Sequence, residues 1–211
     1  MTSLDHKSQI THHPSSLVLA SSSPRRAEIL SALGIPFEIQ AADVDETLRS
    51  GEDAPGAASR LAEAKARTIG LRHPGRWVLG ADTLVVLDQA ILGKPRDAED
   101  AGRMLRLLSG REHRVVTGVA LLRHDSPSRV LLEESRVRIA PLTGEEVSWY
   151  VDTREPMDKA GAYAVQGLGS RFIEEIRGSY TNVMGLPARA VYRLMREAGD
   201  PSLALLALSC P

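Results

Sequence analysis

The stretch from Gly80 to Pro95, Gly-Ala-Asp-Thr-Leu-Val-Val-Leu-Asp-Gln-Ala-Ile-Leu-Gly-Lys-Pro, constrains the chain more than any other. Trp77-Val78-Leu79 before it reads as a buried strand emerging from a core, and the apolar run from Leu84 to Leu87 carries the strand signal on. Asp82 sits between these apolar pieces. A carboxylate in such a place is solvated, hydrogen-bonded or bound to a cation, because an isolated buried charge is too unfavourable to keep. A short turn then returns the chain to Lys94, locked by Pro95. The expected arrangement puts the acid and the lysine at two tips of neighbouring extended segments. That suits a carboxylate that holds a metal or activates water beside an ammonium that neutralises a phosphate. The plainer alternative for Asp82 is a strand-end residue capping a turn.

Bulk properties narrow the classes. The 211 residues are 43% apolar and 25% charged, ordinary for a globular chain with one substantial core or two lobes around a shared sheet. Aromatics at 4% disfavour a stacking platform for single-stranded nucleic acid. A net charge of -1 without a long basic run disfavours a partner recognised through its phosphate backbone. No segment has the length and apolarity of a membrane span or signal-peptide core. Cys210, the single cysteine, can form no internal disulfide, so a cytoplasmic, reducing compartment is the simplest one. Met1 to Ser16 reads as a disordered polar leader; its His6, His12 and His13 admit a weak metal-binding tail, against the plainer reading of a loose extension.

Strand and helix signals alternate along residues 17–198, which indicates a single α/β domain with a mixed sheet, followed by a tail over 199–211. Leu17-Val18-Leu19-Ala20 predicts a strand that runs into a helix opened by Ser23 as cap and Pro24 in its first turn, and stopped by Gly34. Phe37 to Ile39 predicts a second strand, and the acidic turn Asp43-Val44-Asp45-Glu46 follows it. An Ala-rich helix over about Pro55–Leu71, strand signals over Trp77–Leu87 and a helix over Ala98–Leu108 come next. Arg114–Leu122 and Val130–Ile139 predict an antiparallel pair. Thr143-Gly144-Glu145-Glu146 has the form of a capping box. Tyr163–Gln166 and Arg171–Ile176 read as strand-like pieces among glycines, and the last helix covers Pro187–Ala198.

Four constellations carry chemistry beside Asp82. Ser21-Ser22-Ser23-Pro24-Arg25-Arg26 has the parts of an anion cradle, with helix-start N–H groups and two guanidinium forks, or else is a cap with solvated arginines. Glu46 belongs to an acidic turn that becomes a metal site only if a basic cluster faces it. Lys65 lies on an Ala-rich helix, where a lysine usually snorkels to solvent. Gln166 follows a run of small residues that allow close approach of a flat ligand. Its acceptor and two donors are enough to pair with the O4 and N3–H of uracil or thymine, although the next strand could equally satisfy it.

Together the motifs point to a family. Ala20-Ser21-Ser22-Ser23-Pro24-Arg25-Arg26, Gly80-Ala81-Asp82-Thr83, Gly93-Lys94-Pro95 and Leu108-Ser109-Gly110 closely resemble motifs of the Maf family of nucleoside triphosphate pyrophosphatases. So do Asp158-Lys159-Ala160-Gly161-Ala162-Tyr163, Val165-Gln166-Gly167 and Gly178-Ser179-Tyr180 through Gly185-Leu186-Pro187. The resemblance implies hydrolysis between the α and β phosphates of a nucleotide, with Mg or Mn, by an elongated α/β fold with two lobes around a deep cleft. It implies an architecture like that of inosine triphosphate pyrophosphatases, frequent homodimers, and a family link to septum formation and cell-division arrest. It casts Asp82 as proton acceptor, with metal ligation by Asp82 as the competing role. Ser21, Arg25, Arg26, Glu46, Lys65 and Lys94 fall at the phosphate and metal end, and Glu46 is the other implied metal ligand. Arg25, Thr83 and Gln166 resemble the specificity positions of the dTTP/UTP subgroup. A pyrimidine nucleoside triphosphate is thus the implied substrate, with removal of non-standard nucleotides as a further implied role.

Overall fold

The computed structural model describes residues 17–124 and 126–203; the leader expected over 1–16, with its three histidines, lies outside the described residues. The elements run β1 (Leu17–Ala20), α1 (Pro24–Ala32), β2 (Glu38–Ile39), α2 (Ala54–Gly70), β3 (Trp77–Leu87), β4 (Ala90–Leu92) and α3 (Ala98–Leu108). They continue as β5 (Glu112–Arg123), β6 (Arg129–Ile139), α4 (Gly144–Asp152), β7 (Ile173–Arg177), α5 (Tyr180–Met184) and α6 (Ala188–Ala198). One mixed sheet has the order β2-β1-β3-β5-β6-β7. β1 is parallel to β2 and β3, whereas β3, β5, β6 and β7 form an antiparallel run, as the pairing of the 130s with their predecessor predicts.

Side chains along β3 and β5 alternate between the two sheet faces, and each face has a different partner. Val78, Val86, Val116, Ala120 and Leu122 pack against α2 on one face. On the other face the long strands carry two separate cores. Trp77, Leu79, Ala81, Val119 and Leu121 meet α1 and α6; Val85, Leu87, Val115 and Val137 meet α3 and α4. These are the two lobes. Between them on the same face fall Thr83 and Thr117, whose hydroxyls lie 3.0 Å apart. A polar pair thus marks the seam where an apolar pair would have fused the cores.

The edge of β3 opposite β5 is split as well. β1 pairs with it from Trp77 to Gly80, and β4 from Val85 to Leu87. Residues 81–84 therefore have no ladder partner on that side. Because β1 is parallel and β4 antiparallel to β3, both neighbouring chains leave their strands heading into this gap. One delivers Ser21, the other Gly93 and Lys94.

The caps follow local chemistry. Asp53 and Asp97 accept from Gly56 N and Asp100 N to open α2 and α3, and Thr143 with Glu146 forms the reciprocal box that opens α4. Ser23 holds the cap position of α1, but its side chain makes no cap bond. Its N–H instead goes to Ser21 Oγ, because the turn is organised around Ser21. Tyr163–Gln166 is extended, yet joins no strand: it lies between a 3-10 turn at Ala160–Ala162 and another at Gly167–Phe172. Left-handed φ at Gly161 and Gly167 bends it off the sheet at both ends. Packing continues beyond α6, with Asp200 accepting from Trp77 Nε1 and Leu203 buried in the first core.

Candidate functional site

Two glycines set the depth of the site. A Cβ on Gly80 would collide with the Ala62 carbonyl oxygen, and one on Gly118 with that of Ala58. With Ala58, Ala62 and Ala66 opposite, α2 lies directly on the strands, and Gly118 is the cross-strand partner of Asp82. This close approach puts Lys65, on α2, against Asp82, on β3. Lys65 Nζ is 2.5 Å from Asp82 Oδ1 and 2.6 Å from Glu46 Oε1. Lys65 and Asp82 are buried, at 7% and 6% exposure, whereas the Glu46 side chain is about half exposed at 55%. Burial pushes the Glu46 carboxyl up, but the bond to Lys65 and the positive charges of Lys65, Lys94 and Arg26 outweigh it and hold it below the usual range.

These positions correct two expectations. Asp82 is not at a strand tip; it is in the middle of a continuous β3, exposed to the cleft only because its edge is split there. Lys65 does not snorkel. The two acids that hold it come from a loop and a strand remote in sequence, and no periodicity on α2 reveals them.

Arg26 organises the seam between the lobes. Its Nε donates to Gly185 O at 2.8 Å, and its terminal nitrogens donate to Ser21 Oγ at 3.1 Å and Thr83 Oγ1 at 3.2 Å. Burial lowers its pKa, while Asp82 and Glu46 pull the other way. Arg26 is thus a charge fixed in the cleft wall, with much of its fork committed to the protein. Arg25 leans across the opening towards Asp158, its Nη1 4.0 Å from Oδ2, while Lys159 Nζ lies 2.5 Å from the other oxygen, Oδ1. Lys94 is exposed beside Gly93.

All of these line one cavity of about 510 Å³, with Thr83, Tyr163, Ala164 and Val165 along its far wall. That volume is typical of a small-molecule site. Ser21, Arg25, Arg26, Glu46, Lys65, Asp82, Thr83 and Lys94 are therefore brought together. Gln166 is the exception: it follows Val165 at the start of the second 3-10 turn, half-buried, and is not part of the wall itself.

Three groups near the site escape sequence reasoning. His113 is buried and bonded through Nε2 to the Tyr163 hydroxyl at 2.8 Å. Asn182, also buried, donates to Val115 O and Ser135 Oγ, both at 3.0 Å, tying α5 to the strands beside Gly185. Glu155 caps the loop after Gln166. Each lies among apolar neighbours or next to an Asp or Arg, and nothing in its local pattern separates it from a surface residue.

The family model of Maf-like protein matches residues 16–198, the whole span that builds the cleft. The chain belongs to the Maf family. The dTTP/UTP pyrophosphatase of Myxococcus xanthus is 51% identical over 186 residues, covering 88% of this chain and 93% of that protein. The dTTP/UTP pyrophosphatase of Symbiobacterium thermophilum is 50% identical over 185 residues, covering 88% and 95%. Among solved structures, the Staphylococcus aureus Ham1 protein aligns at a TM-score of 0.46 with 16% identity, covering 74% of this chain and 79% of that one. Parts of several motifs shared with Maf proteins line the cleft in this chain: Ser21 to Arg26 on one wall, Asp82 and Thr83 at the split edge, Gly93-Lys94 opposite, and Asp158 to Ala160 with Tyr163 to Val165 across the opening.

Proposed function

We propose that this Maf protein is a nucleoside triphosphate pyrophosphatase that hydrolyses dTTP and UTP to the monophosphate and pyrophosphate. The observation that carries the reading is the Glu46–Lys65–Asp82 cluster at the split edge of β3, faced by Arg25, Arg26 and Lys94 across one cavity. A triphosphate brings several negative charges, and a site preset with cations stabilises the further charge that develops on the departing pyrophosphate. Arg25, Lys65 and Lys94 supply donors to phosphate oxygens, Arg26 holds Ser21 in place, and the Ser21 hydroxyl lines the cavity beside them. Asp82 is the group placed to orient a water and take its proton.

The donor set fits a divalent cation such as Mg or Mn. Among the described residues no cluster of three or more His, Cys, Asp or Glu side chains exists. Glu46 and Asp82 do lie on either side of one cation already, the Lys65 ammonium. A hard metal that takes one or two carboxylates and completes its shell with water and phosphate oxygens suits that pair. Glu46 and Asp82 are the residues that would hold it, and when bound it would supply charge neutralisation at the phosphates. Thr83, on β3 beside Asp82, and Gln166, just beyond the Ala164–Val165 wall, are the positions to which the base-reading role is assigned, supported by the names of the relatives and by the small residues Ala160, Gly161, Ala162 and Ala164.

No helix among the described residues is long and apolar enough to cross a membrane, and the single cysteine accords with a reducing cytoplasm. The deciding experiment measures pyrophosphate release from UTP, dTTP, CTP, GTP and methylated pyrimidine nucleotides with Mg or Mn. Release from UTP and dTTP above the others is expected. Tight binding without turnover would make the chain a nucleotide sensor instead, and faster release from the methylated pyrimidines would make it a scavenger of non-standard nucleotides.

A further inference from the structure

Gln166 follows the cleft wall on a segment that has no ladder to hold it, so something else must fix its position. The segment is anchored at both ends by one pair of side chains. At its start, Ala164 N–H donates to the Tyr150 hydroxyl at 3.1 Å. At its end, Leu168 N donates to Glu155 Oε2 at 3.0 Å and Gly169 N to Glu155 Oε1 at 2.9 Å. The Tyr150 hydroxyl closes the circuit by donating to Glu155 Oε1 at 2.8 Å.

Steric detail supports the same picture. A Cβ on Gly167 would come within 2.6 Å of Glu155 Oε2, and one on Gly169 would strike the Tyr150 hydroxyl. The carboxylate thus sits against bare backbone, capping N–H groups of a 3-10 turn that lie 13 and 14 residues further along the chain. Gln166 occupies the cap position of that turn, yet its side chain makes no cap bond. Glu155 does that work in its place, which leaves the Gln166 amide uncommitted to the turn. Burial pushes the Glu155 carboxyl up, but the bonds from Leu168, Gly169 and Tyr150 outweigh it and keep the group ionised.

We propose that Glu155 and Tyr150 are positioning residues for base selectivity: through their shared hydrogen bonds they set where Gln166 and the Ala164–Val165 wall meet the nucleobase. The inference rests on the pyrophosphatase reading above. Neither group reaches the cluster around Asp82, so their loss acts on which nucleotide is accepted rather than on the bond-breaking step itself.

The experiment compares kcat/KM for UTP with that for CTP and GTP in wild type, Glu155→Gln, Tyr150→Phe, Gln166→Ala and Gln166→Ala/Glu155→Gln. Glutamine at 155 offers one acceptor oxygen to donors that now share two, and phenylalanine at 150 keeps the ring packed at 5.3 Å from Phe172 while removing the link to Ala164. In each single variant the preference for UTP is expected to fall about tenfold, the scale of one lost hydrogen bond, chiefly through a higher KM for UTP. In the double variant the second change should add little, because both act through one side chain. A preference within about twofold of wild type, with all nucleotides slowed equally or only the melting temperature lowered, would overturn the proposal. So would full additivity in the double variant. If wild type releases pyrophosphate from no nucleotide, the functional reading itself falls, and this inference with it.

Discussion

The two walls of the cleft are built by opposite means. On the wall that carries Asp82 and Lys65, a helix lies directly on a sheet, with Gly80 and Gly118 against Ala58, Ala62 and Ala66 at the closest approach and two regular elements fixing the charged pair. On the wall that leads to Gln166, the chain is irregular, and side-chain bonds from Tyr150 and Glu155 hold what no ladder holds. On the proposed reading, the Lys65–Asp82 pair that serves the reaction is placed by close packing, where a displacement of a few tenths of an ångström needs the surrounding core to yield. The surface proposed to read a base is placed by a few side-chain hydrogen bonds. If those roles hold, chemistry and selectivity should be separable in this molecule.

The largest expected effect breaks the packed wall alone. Asp82→Asn keeps the shape and an oxygen acceptor for Lys65, and Lys65 keeps Glu46 at 2.6 Å, so the fold should stand. The base is gone, and kcat should fall by a factor of ~10² to 10⁴ for every nucleotide alike. Pyrophosphate release under saturating substrate reads this directly. Turnover at the wild-type rate would remove Asp82 from the chemistry. A loss confined to pyrimidine nucleotides would show that the two walls are not separate after all.

The difference between the walls also explains what the sequence reveals. The packed wall is made of regular elements with signals of their own: the β1 tetrapeptide, the Ala-rich helix read over about Pro55–Leu71, the Trp77–Leu87 run, and the turn that returns the chain to Lys94. What stays hidden there is long-range, namely the burial of Lys65 by two acids from elsewhere and the split between β1 and β4 that opens the cleft. On the other wall even local reading fails. Tyr163–Gln166 has the apolar pattern of a strand, but the positive φ of Gly161, Ala162 and Gly167, with bonds from Tyr150 and the distant Glu155, keeps it off the sheet. Residue roles carried by the Maf resemblance reach this wall where periodicity does not, though they single out Gln166 and not the pair that holds it.

The next effect, in stability, should fall on the irregular side. His113 is buried behind Tyr163, and among the described residues its Nδ1 has no hydrogen-bond partner. Burial lowers its pKa from 6.5 to about 4. The folded protein therefore keeps the ring neutral where the unfolded chain takes up a proton. Between pH 6.5 and 4 the unfolded state binds more protons, so stability falls as pH drops through that window, by about 3 kcal/mol in all. Urea unfolding at several pH values checks this, with His113→Gln as the variant expected to flatten the slope. Hydrogen exchange should show the segment 160–169 loosening before α2 does. An unchanged slope in the variant would put the acid sensitivity elsewhere and leave the two walls equally robust.

The smallest effect sharpens the claim that close packing places the charges. Gly118→Ala puts a methyl group against the Ala58 carbonyl, on the strand position opposite Asp82. Backbone on both sides cannot turn aside as a flexible side chain would, so α2 must lift. Overpacking of this kind is expected to destabilise the fold by about 1 to 3 kcal/mol. Gly144→Ala is the control: nothing lies within 4 Å of the added Cβ, and the position opens α4. Its unfolding free energy should stay within about 0.5 kcal/mol of wild type. If packing places Lys65 against Asp82, Gly118→Ala should also lower kcat while leaving the order of preference among nucleotides unchanged. The folded fraction must be corrected for before the comparison. A destabilised variant with full kcat would mean that Lys65 follows Asp82 by its own flexibility, and the glycine contact would then matter to the fold and not to the reaction.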